Sequence, residues 1–525
     1  MKHILLYTIL LQLVAFPSFA QQYYSKFYTH NGYRSNAVNV IARSNDYIVA
    51  NTYRNSTVSN GISILSFSYN GELNWLRNHN IGNIGVYSSE FGQFISTQDG
   101  GFAFATFKPI SSYWWDNIYF MKFDSIGNLE WNRDYGEPQT MNRAFALMQN
   151  NAGDYVMCGF ASSSGPGTAD TYVLKTSVTN GDTLWTKRFV IDSFQRAQSI
   201  SEDYDGAYLM GSFTAVSNSS ESDGTSDGDG LIYKLNADGS VRWMLNIGTP
   251  DDDCDAYIVP CKTEPGKYYV WSCDGKSHPA FPNDEVEGKS YYISKIDSIG
   301  NVYWRTHMSG YSKGIKKAIE MPSGKILLVG SDTFCADETN WCFSYWGWMA
   351  LLDSSGIVLW DRTFYLYNED EAYGFAWLTD AIPTPDGGFI AVGRYPIQIE
   401  PPTVAPAVPH VWLLKVDENG CITPGCNEEL IFVSVDDGQH ILIENDTSVL
   451  SIFPNPATHT INVHNTQLWQ TLILYNLHGQ VVATYYPPNQ LHNLPLPENL
   501  PNGLYIAQLT LNNGTIQTAK LLISK

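Results

Sequence analysis

Residues 100–131 read GGFAFATFKPISSYWWDNIYFMKFDSIGNLEW. A glycine turn opens the segment, a short apolar run follows, and a polar and aromatic interruption leads to a second apolar run. An Asp-x-x-Gly turn then delivers the chain to Trp131. Short apolar runs bounded by turn residues are strands, so the segment reads as two strands and a hairpin into a third. The first run recurs as NDYIVAN at 45, GDYVMCG at 153, GAYLMGS at 206, GKYYVWS at 266, GKILLVG at 324 and GGFIAVG at 387, which makes seven copies. The second run recurs with them, and Trp75, Trp131, Trp185, Trp243, Trp304 and Trp360 follow it at intervals of 56, 54, 58, 61 and 56 residues. A period of this length built from short β-rich runs indicates propeller blades and argues against helical solenoids.

Counting the segment before each first run, such as AFALMQN at 144 or AYIVPCK at 256, gives four strands per blade, a to d from the axis outward. The tetrads Asp124 to Gly127, Asp297 to Gly300 and Asp353 to Gly356 form the c–d hairpin, with Gly supplying the positive φ. The Trp then sits on strand d, where a large ring packs between blades. The seventh copy, VWLLKVDENGCITPGC, ends without a Trp-bearing strand d. The segment Gln22 to Tyr28 resembles the d strands and supplies the missing one, closing the ring and leaving no open seam. The expectation is an all-β chain with a seven-bladed propeller over residues 21–426.

The chain has 525 residues, 44% hydrophobic and 14% aromatic, with a formal charge of −21. Such a composition folds, and such a surface repels phosphate backbones, which excludes nucleic acid as a partner. Residues 1–20 read as a Sec signal: Lys2, an apolar stretch from Ile4 to Phe16, and the small residues of Ser18-Phe19-Ala20. No later apolar run reaches the roughly 18 residues a membrane helix needs. All eight Cys follow the signal, in a part of the chain that meets an oxidising compartment. Close spacing suggests Cys254 with Cys261, Cys335 with Cys342 and Cys421 with Cys426; Cys158 and Cys273 fall in strands and read as small buried hydrophobes.

After Cys426 the repeat stops. A linker over 427–446 leads to a separate domain at 447–525, whose alternating runs SVLSIFPNPATHTINV, LILYNLHGQVV and LPNGLYIAQLTLNNGTIQTAKLLISK fit a small β-sandwich. Phe453-Pro454-Asn455-Pro456-Ala457, the Asn476 to Gln480 turn, Gly503-Leu504-Tyr505 and the terminal Lys520 to Lys525 resemble the type A sorting domain of the type IX secretion system. That resemblance implies a cargo of a Bacteroidetes bacterium, carried from the periplasm across the outer membrane to the medium or the cell surface. It implies the secretion machinery as partner and assigns recognition to Pro454, Asn455, Pro456, Gly503, Tyr505 and Lys520, with turn formation an equal account of the Pro and Gly positions. It also marks the Asp-Ser-Ile triplets at Asp124 and Asp297 and Asp-Thr-Leu at Asp182 as similar to O-glycosylation sites; the hairpin turns alone suffice to explain them.

The blades resemble those of quinoprotein dehydrogenases, with Ser177, Gly181 and Trp185 at the spacing of that docking motif but Ser in the Asp position. The motif describes blade packing, so neither cofactor nor reaction is carried over. No zinc-binding pair of His and no P-loop occurs. The G-x-S-x-G strings around Ser226 and Ser312 lack a strand-turn-helix setting. Acid clusters at 251–253 and 369–371 read as solvated loop charge. No cofactor is expected; the one metal candidate is a Ca²⁺ at Asp223, Asp227 and Asp229, where a plain acidic loop is the preferred reading because the bidentate Glu of an EF-hand is missing.

Loop length is more informative. The b–c connections are long, unlike one another, and leave from one rim, the usual place for binding on a rigid scaffold. Trp114, Trp115, Phe281, Trp341, Phe343, Tyr345 and Trp346 supply that rim with aromatics, beside the carboxylates of Asp337 and Glu338. Rings beside carboxylates suit a carbohydrate, and packing of the loops onto the blades accounts for any one of them equally well. The expectation is a non-enzymatic secreted or surface propeller that binds a glycan or a protein by this rim. The alternative is a polysaccharide-active hydrolase or lyase, for which two facing carboxylates about 5 to 9.5 Å apart would be the mark.

Overall fold

The computed structural model describes residues 23–30, 34–54, 60–82, 93–110, 115–137, 139–163, 169–191, 194–215, 228–248, 254–274, 290–308, 313–334, 344–365, 376–397, 408–426, 428, 430–432, 441–443, 451–453, 457–464, 469–476, 478–486, 494–497, 499–512 and 516–524. Two compact units divide at Ile441 and Leu442. All regular structure among the described residues is β.

The chain begins with β1 (Tyr24–His30). Blade 1 is β2 (Arg34–Ala42), β3 (Tyr47–Arg54), β4 (Asn60–Phe67) and β5 (Leu73–Gly82). Blade 2 is β6 (Gln93–Ser96), β7 (Phe102–Pro109), β8 (Asp116–Phe123) and β9 (Leu129–Tyr135); blade 3 is β10 (Met141–Gln149), β11 (Tyr155–Ser162), β12 (Asp170–Thr176) and β13 (Thr183–Phe189). Blade 4 is β14 (Gln195–Glu202), β15 (Tyr208–Ala215), β16 (Gly228–Leu235) and β17 (Val241–Asn246); blade 5 is β18 (Tyr257–Pro260), β19 (Lys267–Asp274), β20 (Ser290–Asp297) and β21 (Val302–His307). Blade 6 is β22 (Gly314–Glu320), β23 (Ile326–Phe334), β24 (Ser344–Leu352) and β25 (Val358–Tyr365); blade 7 is β26 (Trp377–Pro383), β27 (Phe389–Ile397) and β28 (Val408–Val416). Every blade is an antiparallel meander, and each strand a packs on the blade before it, blade 1 on blade 7 included. The ring has seven blades.

β1 completes blade 7. It runs antiparallel to β28 with Tyr24 opposite Lys415 and Tyr28 opposite Val411. That register puts Tyr24 in the place of the strand-d Trp, because Trp131, Trp185, Trp243 and Trp304 stand opposite Lys122, Lys175, Lys234 and Lys295. The ring packing agrees. Gly127, Gly181, Gly239, Gly356 and Gly420 of the c–d turns lie so close under Trp75, Trp131, Trp185, Trp304 and Trp360 of the preceding blade that an added Cβ would meet the ring within 3.0 Å; Gly71 lies under Tyr24 in the same way, at 2.8 Å. These turn glycines therefore serve twice, supplying positive φ and a place for the neighbouring ring. Phe27 points into the core between blades 6 and 7, where its ring centroid lies 5.3 Å from Tyr395 and 6.0 Å from Trp412.

A second repeated device escaped the sequence reading. The strand-c lysines Lys122, Lys234 and Lys415, all buried, and the half-buried Lys175 pair with a carboxylate of their own a–b turn: Lys122 with Asp99 at 2.8 Å, Lys234 with Asp203 at 2.6 Å, Lys415 with Asp386 at 2.7 Å and Lys175 with Asp154 at 3.2 Å. Lys295 pairs with Glu264 likewise. A buried ammonium without a partner is costly, so each lysine demands its acid. Blade 6 has lost both at once, with Leu351 in place of Lys and Met321-Pro322-Ser323-Gly324 as its turn. At the other end of the b strands, Gly159, Gly330 and Gly393 face the bulged strands a of their blades. A Cβ there would stand 1.8 to 1.9 Å from a backbone carbonyl oxygen.

The cysteines partly correct the expectation. Cys421 pairs with Cys426, with Cα atoms 5.8 Å apart, but Cys254 pairs with Cys273 at 5.1 Å, and Cys261 is a buried free thiol. The reason is strand geometry: Cys254 and Cys261 flank opposite ends of β18, a span of roughly 20 Å at ~3.3 Å per residue, whereas antiparallel β19 brings Cys273 back beside Cys254. Cys158 is free and buried, as read. Cys335 and Cys342 lie outside the described residues.

The propeller sheets also reach past Cys426, where a linker was expected. β29 (Leu430–Phe432) adds a fifth, parallel strand to blade 6, with Ile431 opposite Phe364 and buried in the core between blades 6 and 7, and β30 (Ile441–Ile443) lies outermost in the seventh sheet.

The second unit is a two-sheet sandwich. One sheet has β31 (Ser451–Phe453), β32 (Thr460–His464) and β35 (Leu494–Pro495); the other, in the order β34-β33-β36-β37, has β33 (Trp469–Tyr475), β34 (Val481–Tyr485), β36 (Gly503–Leu511) and β37 (Ile516–Ile523). Ile452, Ile461, Val463, Leu472, Leu474, Tyr505, Ala507, Leu509, Leu521 and Ile523 fill the space between them.

Candidate functional site

The b–c and d–a connections leave from one rim, so that rim gathers the N-terminal ends of strands a and c and the C-terminal ends of b and d. The described residues place an aromatic arc there, across blades 5 to 7. Tyr257 at the start of β18 stacks on Trp271 of β19, with centroids 5.2 Å apart and planes 4° from parallel. Tyr291 follows on β20, then Tyr345 on β24, whose ring meets Trp377 of β26 edge-on at 6.4 Å. The Arg394 guanidinium lies 3.2 Å from the Trp377 ring centroid and extends to the Asn36 side-chain oxygen. Tyr257, Tyr291, Tyr345, Trp377 and Arg394 are all half-buried, which leaves part of each open at the rim.

Charge at the arc is neutralised locally. Arg196 grips Asp255 through two bonds, at 2.9 and 3.0 Å, and although burial works against its charge, Asp255 more than restores it. Burial first, and Asp255 next, push the Tyr257 phenol far above its ordinary value; burial, Asp255 and Tyr345 push Tyr291 up to about 12. Both phenols therefore stay protonated at any physiological pH. Four other rim carboxylates are held as well. Asp116 binds Arg143 at 2.6 Å, Asp170 binds Arg188 at 2.6 Å, and Asp361 takes Lys313 at 2.7 Å and the Trp348 indole N–H at 2.8 Å. Asp332 accepts from Thr363 at 2.7 Å. Carboxylates fixed in this way orient the side chains that hold them.

Of the residues expected at this site, Tyr345 joins the arc. Trp346 instead packs its ring 4.3 Å from Tyr365, at 57°, and Trp115 is half-buried with its carbonyl accepting the Ile110 N–H at 2.9 Å, which closes its loop. Trp114, Phe281, Asp337, Glu338, Trp341 and Phe343 lie outside the described residues, as do Asp223 and Asp227. Asp229 is described and accepts the Asn246 amide at 2.7 Å. Among the described residues no group of three His, Cys, Asp or Glu is arranged to hold a metal ion. The sequence reading passed over Tyr257, Tyr291, Trp377 and Arg394 because it searched the loops; their signal was an aromatic or Arg at a strand terminus facing the long connections.

In the second unit, Gly503 opens β36, Tyr505 is buried with its hydroxyl donating to the Pro501 carbonyl at 2.8 Å, and Lys520 is exposed on β37 opposite Ile506. Pro454, Asn455 and Pro456 lie outside the described residues. No helix among the described residues is long and apolar enough to cross a membrane.

Three solved structures illustrate the similarity of the whole chain to known proteins. PorZ, a surface component of the type IX secretion system of Porphyromonas gingivalis, is similar over 95% of this chain and 70% of its own, with 8% identity and a TM-score of 0.35. Cobalt-substituted ACO from Synechocystis is similar over 69% and 85%, with 13% identity and a TM-score of 0.37. The acylaminoacyl peptidase of Pyrococcus horikoshii is similar over 74% and 52%, with 12% identity and a TM-score of 0.38. Likeness of this order carries no argument about activity. No curated protein matches the chain. One family does, over residues 451–524, the secretion system C-terminal sorting domain, and its span coincides with the sandwich and with the motifs around Gly503, Tyr505 and Lys520. The second unit is therefore a C-terminal sorting domain, and the chain is a seven-bladed propeller exported as cargo of the type IX secretion system.

Proposed function

We propose that the exported propeller binds an extracellular glycan along the rim formed by Tyr257, Tyr291, Tyr345, Trp377 and Arg394, after entering the periplasm by the leader Met1 to Ala20. The observation that supports this is the row of part-exposed rings at the ends of rigid strands, with neutral phenols and a guanidinium between them. Sugar rings stack their apolar faces on such side chains and give their hydroxyls to such donors. The engagement of the rim carboxylates by Arg143, Arg196, Lys313 and Trp348 favours binding over hydrolysis.

The test is a thermal-shift screen of the mature chain against a panel of neutral and acidic polysaccharides, with Ca²⁺ as a separate arm. Ligand at 100 times its Kd stabilises the native state by about 2.7 kcal/mol, which a melting curve resolves. One glycan class should raise Tm, and Trp377→Ala should abolish the shift without lowering the unliganded Tm by more than a few degrees. A folded protein that responds to no glycan would sink the reading, and release of shortened oligosaccharides from the binding glycan would move it to the hydrolase alternative.

A further inference from the structure

The sorting domain is almost devoid of charge. From Thr447 to Lys525 the only charged side chains are Glu498, Lys520 and Lys525, while every other acidic residue of the protein precedes Thr447. A free-standing surface usually carries charge on about a quarter of its residues, so this one departs from the pattern of a domain that faces only water. Part of its apolar exposure is gathered on one face, with Tyr486 and Ile516, both 58% exposed, standing apart from the group. In the sheet β34-β33-β36-β37 one set of side chains faces the core and the alternate set faces outward. On the outward face Val481 stands opposite Tyr475, Tyr475 opposite Ile506 and Leu504 opposite Leu522, so the five side chains run as one stripe across all four strands. Val481 is 56% exposed, Leu522 42% and Leu504 37%, with Tyr475 and Ile506 half-buried. Lys520, opposite Ile506, is the single charge along the stripe.

We infer that this stripe is the docking face of the sorting domain, and that its occupant is a protein of the outer-membrane export apparatus presenting an apolar surface with an acidic group set to meet Lys520. A sorting domain acts only by being bound, and the interior-facing residues of the sandwich are spent on its own core, Tyr505 among them. The stripe is apolar surface that the core does not use. An apolar centre with polar groups at its edge is also the usual anatomy of a protein interface. The inference concerns export alone and does not depend on the ligand of the propeller.

The experiment is secretion of the full chain from a type IX-competent bacterium, with the exported and periplasmic pools quantified and the periplasmic pool tested for folding by protease resistance. Leu522→Glu and Lys520→Glu should each lower the exported fraction roughly tenfold or more, the loss expected when a hot-spot contact is replaced by a repelling charge, and the retained protein should stay protease-resistant. Asn512→Glu, which adds the same charge at the exposed β36–β37 turn, should be exported normally. Lys520 is exposed, so its replacement cannot open the core, and this variant decides the matter even if Leu522→Glu misfolds. Normal export of folded Lys520→Glu and Leu522→Glu would overturn the inference, as would equal retention of Asn512→Glu.

Discussion

The closure of the ring by β1 makes Phe27 the most informative residue to remove. Its side chain is 3% exposed and packs between Tyr395 and Trp412, inside the core that joins blades 6 and 7. Truncating a buried Phe to Ala costs about 3–5 kcal/mol. Each aromatic contact adds about 0.5–1.5 kcal/mol beyond area burial, and Phe27 makes two, so Phe27→Ala belongs at the upper end of the range, near 4–5 kcal/mol. Because β1 is paired with the blade proper through β28 and has only the three-residue β30 on its other side, the loss should also be local before it is global. The assay is urea unfolding of the mature chain followed by tryptophan emission, with hydrogen exchange read on peptides covering 23–30 and 408–416. Exchange of both peptides should rise well before the midpoint of global unfolding, while peptides of blades 2 to 4 keep their protection. A matched truncation away from the seam, Phe104→Ala, should lower the midpoint without that early exchange. If Phe27→Ala costs less than about 2 kcal/mol, or if the β1 peptide stays protected up to the global transition, the ring does not rely on this strand as the packing says.

Three further outcomes are expected. Burial pushes the Asp99 carboxyl up, but hydrogen bonds from Lys122, Thr97 and the Gly101 N–H outweigh it and hold it at about 2. A depressed folded-state value means stability that is present above the ordinary carboxylate range and lost as pH falls toward 2; Asp205, also at about 2 through Lys234 and Arg242, acts alike. The Tm should drop between pH 4 and 2, and Asp99→Asn should flatten that drop while lowering Tm at pH 7. Gly330→Ala should destabilise by about 1–3 kcal/mol or more, since its Cβ would stand 1.8 Å from the Gly314 carbonyl oxygen, a backbone atom that cannot step aside; a neutral effect on the urea midpoint would contradict the bulge geometry. Non-reducing peptide mapping should find Cys254 joined to Cys273, with Cys261 reacting with iodoacetamide only after denaturation. Cys273→Ser should cost about 3 kcal/mol, because the bridge closes a loop of 19 residues.

The fold was legible because the repeat signals itself through local chemistry. Turn glycines, alternating strands and the strand-d Trp mark each blade, and the absence of that Trp after Gly420 pointed to β1. Tyr24 in register with Lys415 is the same rule met by a different ring. The strand-c lysines were visible as a Lys just before five of the seven c–d turns, but their meaning depends on an a–b turn some twenty or more residues earlier in the sequence, a pairing that periodicity does not announce. The Cys254 bridge misled for a related reason: nearness along the chain counts for little when a strand lies between two residues, and β18 lies between Cys254 and Cys261. The candidate rim was legible only as a place. Its strand-end residues Tyr257, Tyr291 and Trp377 converge from blades 5 and 7, and convergence of that kind is set by the ring and by no segment alone.

The parallel strand β29 has a mechanical consequence. The chain that leaves the propeller for the sorting domain is first hydrogen-bonded alongside β25, with Ile431 sunk beside Phe364. Traction applied to the sorting domain therefore loads β30 on β1 first, then the bonds of β29 to blade 6, and behind them the Cys421–Cys426 bridge. A short strand sheared along its length acts as a strain relief. Pulled through its C-terminal tag in an optical trap, the protein should yield β30 and then β29, as small early extensions, and keep the ring shut until much higher force.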